Sequence, residues 1–261
     1  INHSYSWHVA MELIKLDGDI IHIVTEERSI NYRWEQNANK LNQNLQIISI
    51  ADMNTALTQG HYSFDLSGAL SLGMVLAKHP FLPNRYIDIN EAQDVIFEDK
   101  LNCMFEIARL LGVTSIEAKA IFLEEKRMEI SINGELTYKY VGTNVQISKE
   151  EKQAYAKRYE RKEKFSGEFS VESYQKAYIK AQQYGLLGDS GIQYLLKQRN
   201  PAESNPILQQ SVKIEMTKEL NNLLECAMSL NILPNVFSLG GNTKELISSR
   251  KKVILESELF F

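Results

Sequence analysis

Residues 148–164 combine strong helix formers with almost no apolar side chains, and this limits the possible folds more than any other segment. Ser148 and Glu151 have the spacing of a capping box, in which a hydroxyl and a carboxylate satisfy free backbone amides at a helix N-terminus. Nearly all later residues of the segment favour helix, yet only two alanines and two tyrosines are suited to a core. A helix without an apolar face has to lie on the outside, bridge to a partner or meet a charged ligand. We therefore expect a projecting charged helix over 148–164.

This charged segment carries seven basic and four acidic residues. The predicted partner-binding residues are Lys157, Arg158, Arg161, Lys162, Lys164, Tyr155 and Tyr159. Basic residues among aromatic ones also suit phosphates and stacked bases, whereas ion pairs such as Glu160–Lys164 would account for a purely solvated helix. We expect a protein partner or self-association, with nucleic acid and membrane as alternatives.

The overall composition indicates a soluble globular protein, because 44% of the 261 residues are hydrophobic and 24% are charged. The net charge of −4 argues against general coating of nucleic acid, although it leaves room for a local basic patch. Cys103 and Cys226 lie in apolar contexts that are typical of buried free thiols in a reducing cytoplasm. No apolar run reaches the roughly 18–20 residues that span a bilayer. We expect a cytoplasmic protein of one domain, 1–261, or of two tightly packed halves, 1–112 and 113–261.

Two pairs of strands are predicted as antiparallel hairpins: 7–16 with 20–25, and 118–132 with 136–141. Asp17-Gly18 is a typical two-residue turn for the first hairpin and would pair Ile14 with Ile21. In the second hairpin, a three-residue loop keeps the apolar residues of both strands on one face, with Leu136 beside Ile132.

Helical spacing and capping signals predict helices over 66–78, 90–111, 148–164, 170–184, 190–199 and 218–231. The last of these also fits a strand, because apolar residues alternate through 211–232, but helix is preferred since the segment contains no β-branched residue. Further strands are predicted at 46–50, 212–216 and 252–261. The C-terminal strand could complete a sheet in this chain or in another. Helices and strands mix without regular βαβ alternation, which predicts an α+β fold.

Motifs of known chemistry are weak or missing in the sequence. The five histidines have no second ligand at the spacing of a zinc site, so we expect no metal and no cofactor. The chain has no nucleophile elbow and no phosphate-binding loop. Glu124 and Lys126 match the Glu-x-Lys of metal-dependent nucleases, in which the carboxylate holds a divalent ion and the ammonium steadies the attacked phosphate. The aspartate that such a site needs has no clear candidate, since Asp99 falls in a predicted helix.

We therefore expect a non-catalytic binding or assembly component of a larger intracellular complex, with the charged helix near 148–164 as its contact surface. One alternative is a hydrolase, such as a metal-dependent nuclease built on Glu124 and Lys126. Another is a membrane-active pore-forming effector, since the alternation through 211–232 would allow long amphipathic strands.

Overall fold

The computed structural model of the chain describes residues 13–34, 44–130, 136–139, 153, 156–203, 207–229 and 249–261. The strands in these ranges are β1 (Ile20–Val24), β2 (Leu45–Ser49), β3 (Ser63–Asp65), β4 (Val75–Lys78), β5 (Arg85–Asp88), β6 (Ser115–Ile130), β7 (Leu136–Lys139), β8 (Arg161–Lys164), β9 (Gln209–Glu215) and β10 (Ser249–Phe260). The helices are α1 (Glu26–Trp34), α2 (Ile50–Gln59), α3 (Ala92–Leu110), α4 (Val171–Gln183), α5 (Ser190–Gln198) and α6 (Lys218–Ser229). The predicted α+β class is confirmed.

The first sheet has the strand order β2-β1-β4-β5-β3 and is of mixed direction. β1 pairs in parallel with β2 and antiparallel with β4, while β5 pairs in parallel with β3. Because β1 lies between two strands and both faces of the sheet are covered, all five of its residues are buried. The sequence of β1 is accordingly a continuous apolar run broken only by His22.

The second sheet has the order β7-β6-β10-β9, and β8 pairs with the beginning of β6. β6 and β10 run antiparallel from the pair Ser115–Phe260 to the pair Arg127–Ser249, with a bulge between Lys252 and Val253. The C-terminal strand therefore completes a sheet within its own chain.

A large core cluster lies around α3, whose buried residues include Ile96, Phe97, Met104 and Phe105. The apolar faces of the second sheet, α4, α5 and α6 contribute to the same cluster, as do residues of the first sheet. A smaller cluster covers the other face of the first sheet beneath α2. Residues from both sides of position 112 thus share the large core, and the division into one or two domains stays a prediction.

Arg199 connects three parts of the fold. Its guanidinium lies 4.4 Å from the ring centre of Phe169 and 4.6 Å from that of Phe261. Its Nε donates to the Leu111 carbonyl at 2.9 Å, at the C-terminal end of α3. This stacked arrangement fixes the start of α4 against the end of β10.

The predicted first hairpin is wrong over the described residues. Residues 13–18 form no strand, and β1 uses its two edges for β2 and β4 in place of a pairing of Ile21 with Ile14. The Asp17 and Gly18 amides instead donate to the side-chain carbonyl of Gln46 in β2. A Cβ on Gly18 would lie 2.8 Å from the Gln46 Cβ, so glycine permits a close approach between chain segments at this position.

The helix predicted over 66–78 is also wrong. Residues 66–74 form irregular structure, and β4 follows. Gly73 has a φ of 83°, which a helix cannot contain, and Gly68 further lowers helix propensity. The apolar character of the run arises because β4 is buried at Val75, Leu76 and Ala77.

In the second hairpin, the predicted face is confirmed but the register is wrong. Leu136 pairs with Ile130 and Tyr138 with Met128, so the even-numbered residues of both strands do share one face. The pairing is shifted by two residues from the predicted one. A shift of two preserves the faces because side chains alternate with a period of two, so burial alone does not select between these registers.

The helices α3, α4, α5 and α6 agree with the predicted ones, whereas α1 and α2 were not predicted. α3 occupies most of the predicted range, and Ser170 caps α4, its hydroxyl accepting from the Ser173 amide. α5 is capped by Asp189, one residue before the predicted Ser190. Lys218–Ser229 is helical, as preferred, so the alternation through 211–232 does not form one continuous strand.

His22 gives the fold a specific pH dependence. The residue is 6% exposed, and burial, together with the charge of Arg28, lowers its pKa below the ordinary 6.5. The unfolded chain binds this proton more readily than the folded chain. The free energy of unfolding should therefore fall as the pH drops below about 6.5, and this decrease should end once the pH is below the pKa of His22 in the folded state. We expect His22→Gln to remove this component, which amounts to at most about 1.4 kcal/mol per pH unit. Urea unfolding from about pH 7.5 to 5.5 measures it, and equal slopes for both proteins would contradict the assignment.

Candidate functional site

The predicted charged helix over 148–164 is wrong in its last part. Residues 156–158 are helical, but Arg161–Lys164 is strand β8, which pairs with Ser115–Ala118 of β6. The open edge of β6 offers backbone hydrogen bonds there, and such tertiary pairing outweighs the weak preference that helix propensity expresses. The earlier part of the segment, apart from Gln153, lies outside the described residues, as does Tyr155.

Tyr159 is a core residue in place of the exposed contact residue that the sequence suggested. It is 1% exposed and packs edge-to-face against Phe97, with ring centres 5.7 Å apart. Its hydroxyl lies 3.0 Å from Asp94 Oδ1, and Arg158 Nη2 lies 2.6 Å from Asp94 Oδ2. Asp94, in the first turn of α3, therefore anchors this segment to the body of the protein.

Two further predicted contact residues also have internal partners. Arg161 lies 4.7 Å from the ring centre of Phe105 and donates to Asn102 Oδ1 at 2.5 Å. Lys162 Nζ lies 2.9 Å from Glu117 Oε2 across the strand pair, and this contact raises the pKa of Lys162. Both groups help to hold β8 on α3 and β6.

Lys157 and Lys164 are exposed, as are Arg158 and Lys162, but unlike those two they have no ion-pair partner within the described ranges. β8 pairs with β6 along one edge, and no other described strand pairs with its second edge. An open edge rich in lysine is typical of protection against unwanted strand addition. The segment thus offers positive charge at its surface but not a ready template for a further strand.

Helix α4 presents a more prominent surface feature. Among the described residues, nine large apolar side chains are exposed, and six of them lie between 169 and 208. Val171, Tyr178 and Ile179 of α4 are 59%, 45% and 62% exposed. Since three of the nine belong to this one helix, α4 is the better candidate for a contact region.

The apolar arc of α4 is wider than the face that it buries. Ala177, Ala181 and Tyr184 face the core, where the helix packs on α3. Val171, Tyr178 and Ile179 follow beside that face at helical spacing, together with the neutral Gln175 and Gln182, and we call these five residues the α4 ridge. This ridge was not predicted from the sequence, although the excess of apolar positions over 171–184 was a visible signal.

A cleft of about 530 Å³ lies between the loop after β4 and helix α6. Its polar lining comprises Asp19, Lys78, His79, Glu219, Asn222 and Cys226. Residues 80–83 and Leu223 supply apolar walls. Burial raises the pKa of the Cys226 thiol above its ordinary value, so the thiol is a weak nucleophile.

His79, which lines this cleft, belongs to a polar network whose groups are occupied by structural contacts. His79 Nδ1 accepts from the Phe81 and Leu82 amides at 3.2 Å, and Nε2 donates to Asp99 Oδ2 at 2.8 Å. Burial alone would raise the pKa of Asp99, but the hydrogen bond from His79 and the charge of Arg85 outweigh it and lower that pKa. Because both ring nitrogens of His79 are engaged, we assign no reaction to this network.

The other chemical candidates from the sequence gain no support from geometry. No group of three potential ligands suited to a metal ion occurs among the residues that the structure describes. His22 and His79 are buried and His61 is exposed, whereas His3 and His8 lie outside the described residues. Glu124 and Lys126 fall within β6, opposite Lys252 and Arg250 of β10. Asp99 lies in α3, where it binds Arg85 and His79.

Among the described helices, none is both long enough and apolar enough to cross a membrane. Comparison of the chain with protein-family models, with curated proteins and with solved structures gives no match.

Proposed function

We propose that this chain is a non-catalytic binding component of a larger intracellular assembly and that the α4 ridge is its main contact surface. The observation that carries the proposal is the exposure of Val171, Tyr178 and Ile179 beside a face that is already packed. Exposed apolar and aromatic side chains in one patch are typical of protein contacts, in which tyrosine often contributes strongly to affinity.

The predicted cationic residues remain in the proposal as a second contact set. Lys157 and Lys164 are its free members, while Arg158, Arg161 and Lys162 would contribute charge without leaving their internal partners. Exposed charges mainly raise the rate of association and the selectivity for a partner. This set would therefore attract a partner that has an acidic surface.

A cytoplasmic location belongs to the same proposal. Cys103 and Cys226 are free thiols, and burial raises the pKa of Cys103 to about 12. Such thiols suit a reducing compartment, where buried cysteines act as small apolar residues.

The test is the mass of the particle that contains this chain in the cell that makes it, measured by native mass spectrometry after gentle extraction. We expect the wild type in a particle heavier than one chain and Ile179→Glu largely as a single chain, because the new carboxylate would be buried without a partner. Leu72→Glu is the matched control, since Leu72 is 49% exposed in the loop before β4 and should leave the particle unchanged.

The cationic set is tested in the same measurement with the double variant Lys157→Ala and Lys164→Ala. We expect a particle that dissociates at lower salt than the wild type, with an unchanged melting temperature. A wild-type chain that migrates alone in the cell extract would contradict the proposed function.

A further inference from the structure

We infer that the partner of the α4 ridge is a second copy of this chain, packed antiparallel to the first around Gln175. This inference rests on the proposed function, and it adds the identity of the partner and the register of the contact. Its basis is the distribution of charge and apolar residues along α4.

The α4 ridge is electrically neutral. Val171, Gln175, Tyr178, Ile179 and Gln182 carry no charge, so the ridge offers nothing to select an acidic or a basic surface. A copy of the same ridge matches it without like-charge repulsion, which a symmetric contact requires because each surface meets itself.

The charged residues of α4 do not oppose this contact. Glu172 Oε1 lies 2.6 Å from Lys176 Nζ one turn later, and Lys180 Nζ lies 2.8 Å from Glu106 Oε2 of α3. Each charge therefore has an opposite partner within its own chain, and approach of a second copy leaves none of them unpaired.

The order of residues along the ridge also suits an antiparallel pair. Val171 and Ile179 lie four residues before and four residues after Gln175. In a two-fold arrangement around Gln175, Val171 of each chain meets Ile179 of the other, and the two Gln175 amides face one another. The antiparallel arrangement also brings opposite ends of the two helix dipoles together.

Three exposed apolar side chains on one helix make a small interface, at the low end of the sizes known for specific contacts. We therefore expect a concentration-dependent dimer. Sedimentation velocity of the purified full chain, from about 1 μM to 1 mM, should show conversion from one chain to two.

The register is tested with two variants of opposite charge, Ile179→Glu and Val171→Lys. Each alone should raise the dimer dissociation constant about tenfold or more, because the charge would face an apolar residue of the other copy. An equimolar mixture of the two variants should recover dimers. In the mixed dimer the new glutamate at position 179 of one chain faces the new lysine at position 171 of the other, and the symmetry-related contact is still between Val171 and Ile179. Leu72→Glu should dimerise like the wild type, and circular dichroism should show equal folding of all four proteins.

Two outcomes would overturn the inference. The first is a wild-type chain that stays single over the whole concentration range, and the second is a dimer that neither variant weakens. The proposed function is separable from it: a particle that Ile179→Glu disrupts in cells, combined with a purified chain that stays single, would leave a binding component whose partner is a different protein.

Discussion

Replacing Phe105 by alanine is expected to lower the free energy of unfolding by about 3–5 kcal/mol. Phe105 is 3% exposed in the large core around α3, and the guanidinium of Arg161 lies over its ring. The substitution would remove the ring from the core and leave a cavity that neighbouring helices and strands cannot close. It would also take away the surface on which β8 is held, so chemical unfolding with urea should show a clear loss.

The control for Phe105 is Tyr194→Ala, on the exposed face of α5. Tyr194 is 54% exposed, and its replacement should change the free energy of unfolding by no more than about 0.5 kcal/mol. Similar losses for the two variants would show that Phe105 does not occupy the core.

Replacing Lys100 by methionine is expected to cost about 3 kcal/mol of stability. Lys100 is 2% exposed; its Nζ donates to the Glu215 carbonyl at 2.6 Å and forms an ion pair with Glu219. Methionine has a similar shape but no charge. The Glu215 carbonyl oxygen and the Glu219 carboxylate would therefore lose their donor at a site with little access to water. Removal of one partner from a buried pair typically costs about 3–5 kcal/mol, and the side chain of Glu219 is 16% exposed, which favours the lower end.

A second substitution separates the charge effect from packing. Adding Glu219→Gln to Lys100→Met should recover about 1–2 kcal/mol, because the unpaired carboxylate is then absent. Lys213→Met is the surface control, since Lys213 has a 65% exposed side chain and its pair with Glu256 should be worth less than about 1 kcal/mol. Equal losses for Lys100→Met and Lys213→Met would contradict the structural role of Lys100.

Helices with a regular apolar face were predictable because their pattern is local. The apolar residues of α3 recur at helical spacing, and ten of its residues are buried. In α6 the absence of β-branched residues correctly favoured helix over an equally visible alternation. Ser170 marked the start of α4 through its capping signal.

Strand partners were much harder to predict. The alternation of apolar residues in a strand indicates which of its faces is buried, but it does not indicate which strand lies beside it. β1 was expected to pair with the segment before Asp17-Gly18, yet it pairs with β2 and β4, which lie some 25 and 55 residues away in sequence. The second hairpin kept its predicted faces and still differed by two residues in register.

The candidate site shows the same limit for the charged segment. Its composition favoured a projecting helix, but only the folded chain reveals that Asp94 and Phe97 lie where Tyr159 can pack and that β6 has a free edge for Arg161–Lys164. The α4 ridge is a second example. The apolar arc of this helix is visible in the sequence, but only the structure shows which part of the arc is buried and which part is left exposed.

The sequence alone therefore determined the α+β class, the central helix and the start of α4, because periodicity and capping depend on residues close together in the chain. The tertiary structure alone decided the strand order, the fate of the charged segment and the apolar residues left at the surface. Those features depend on contacts between distant residues, which compete for the same edges and the same core, and local preferences of a few tenths of a kcal/mol per residue do not decide that competition.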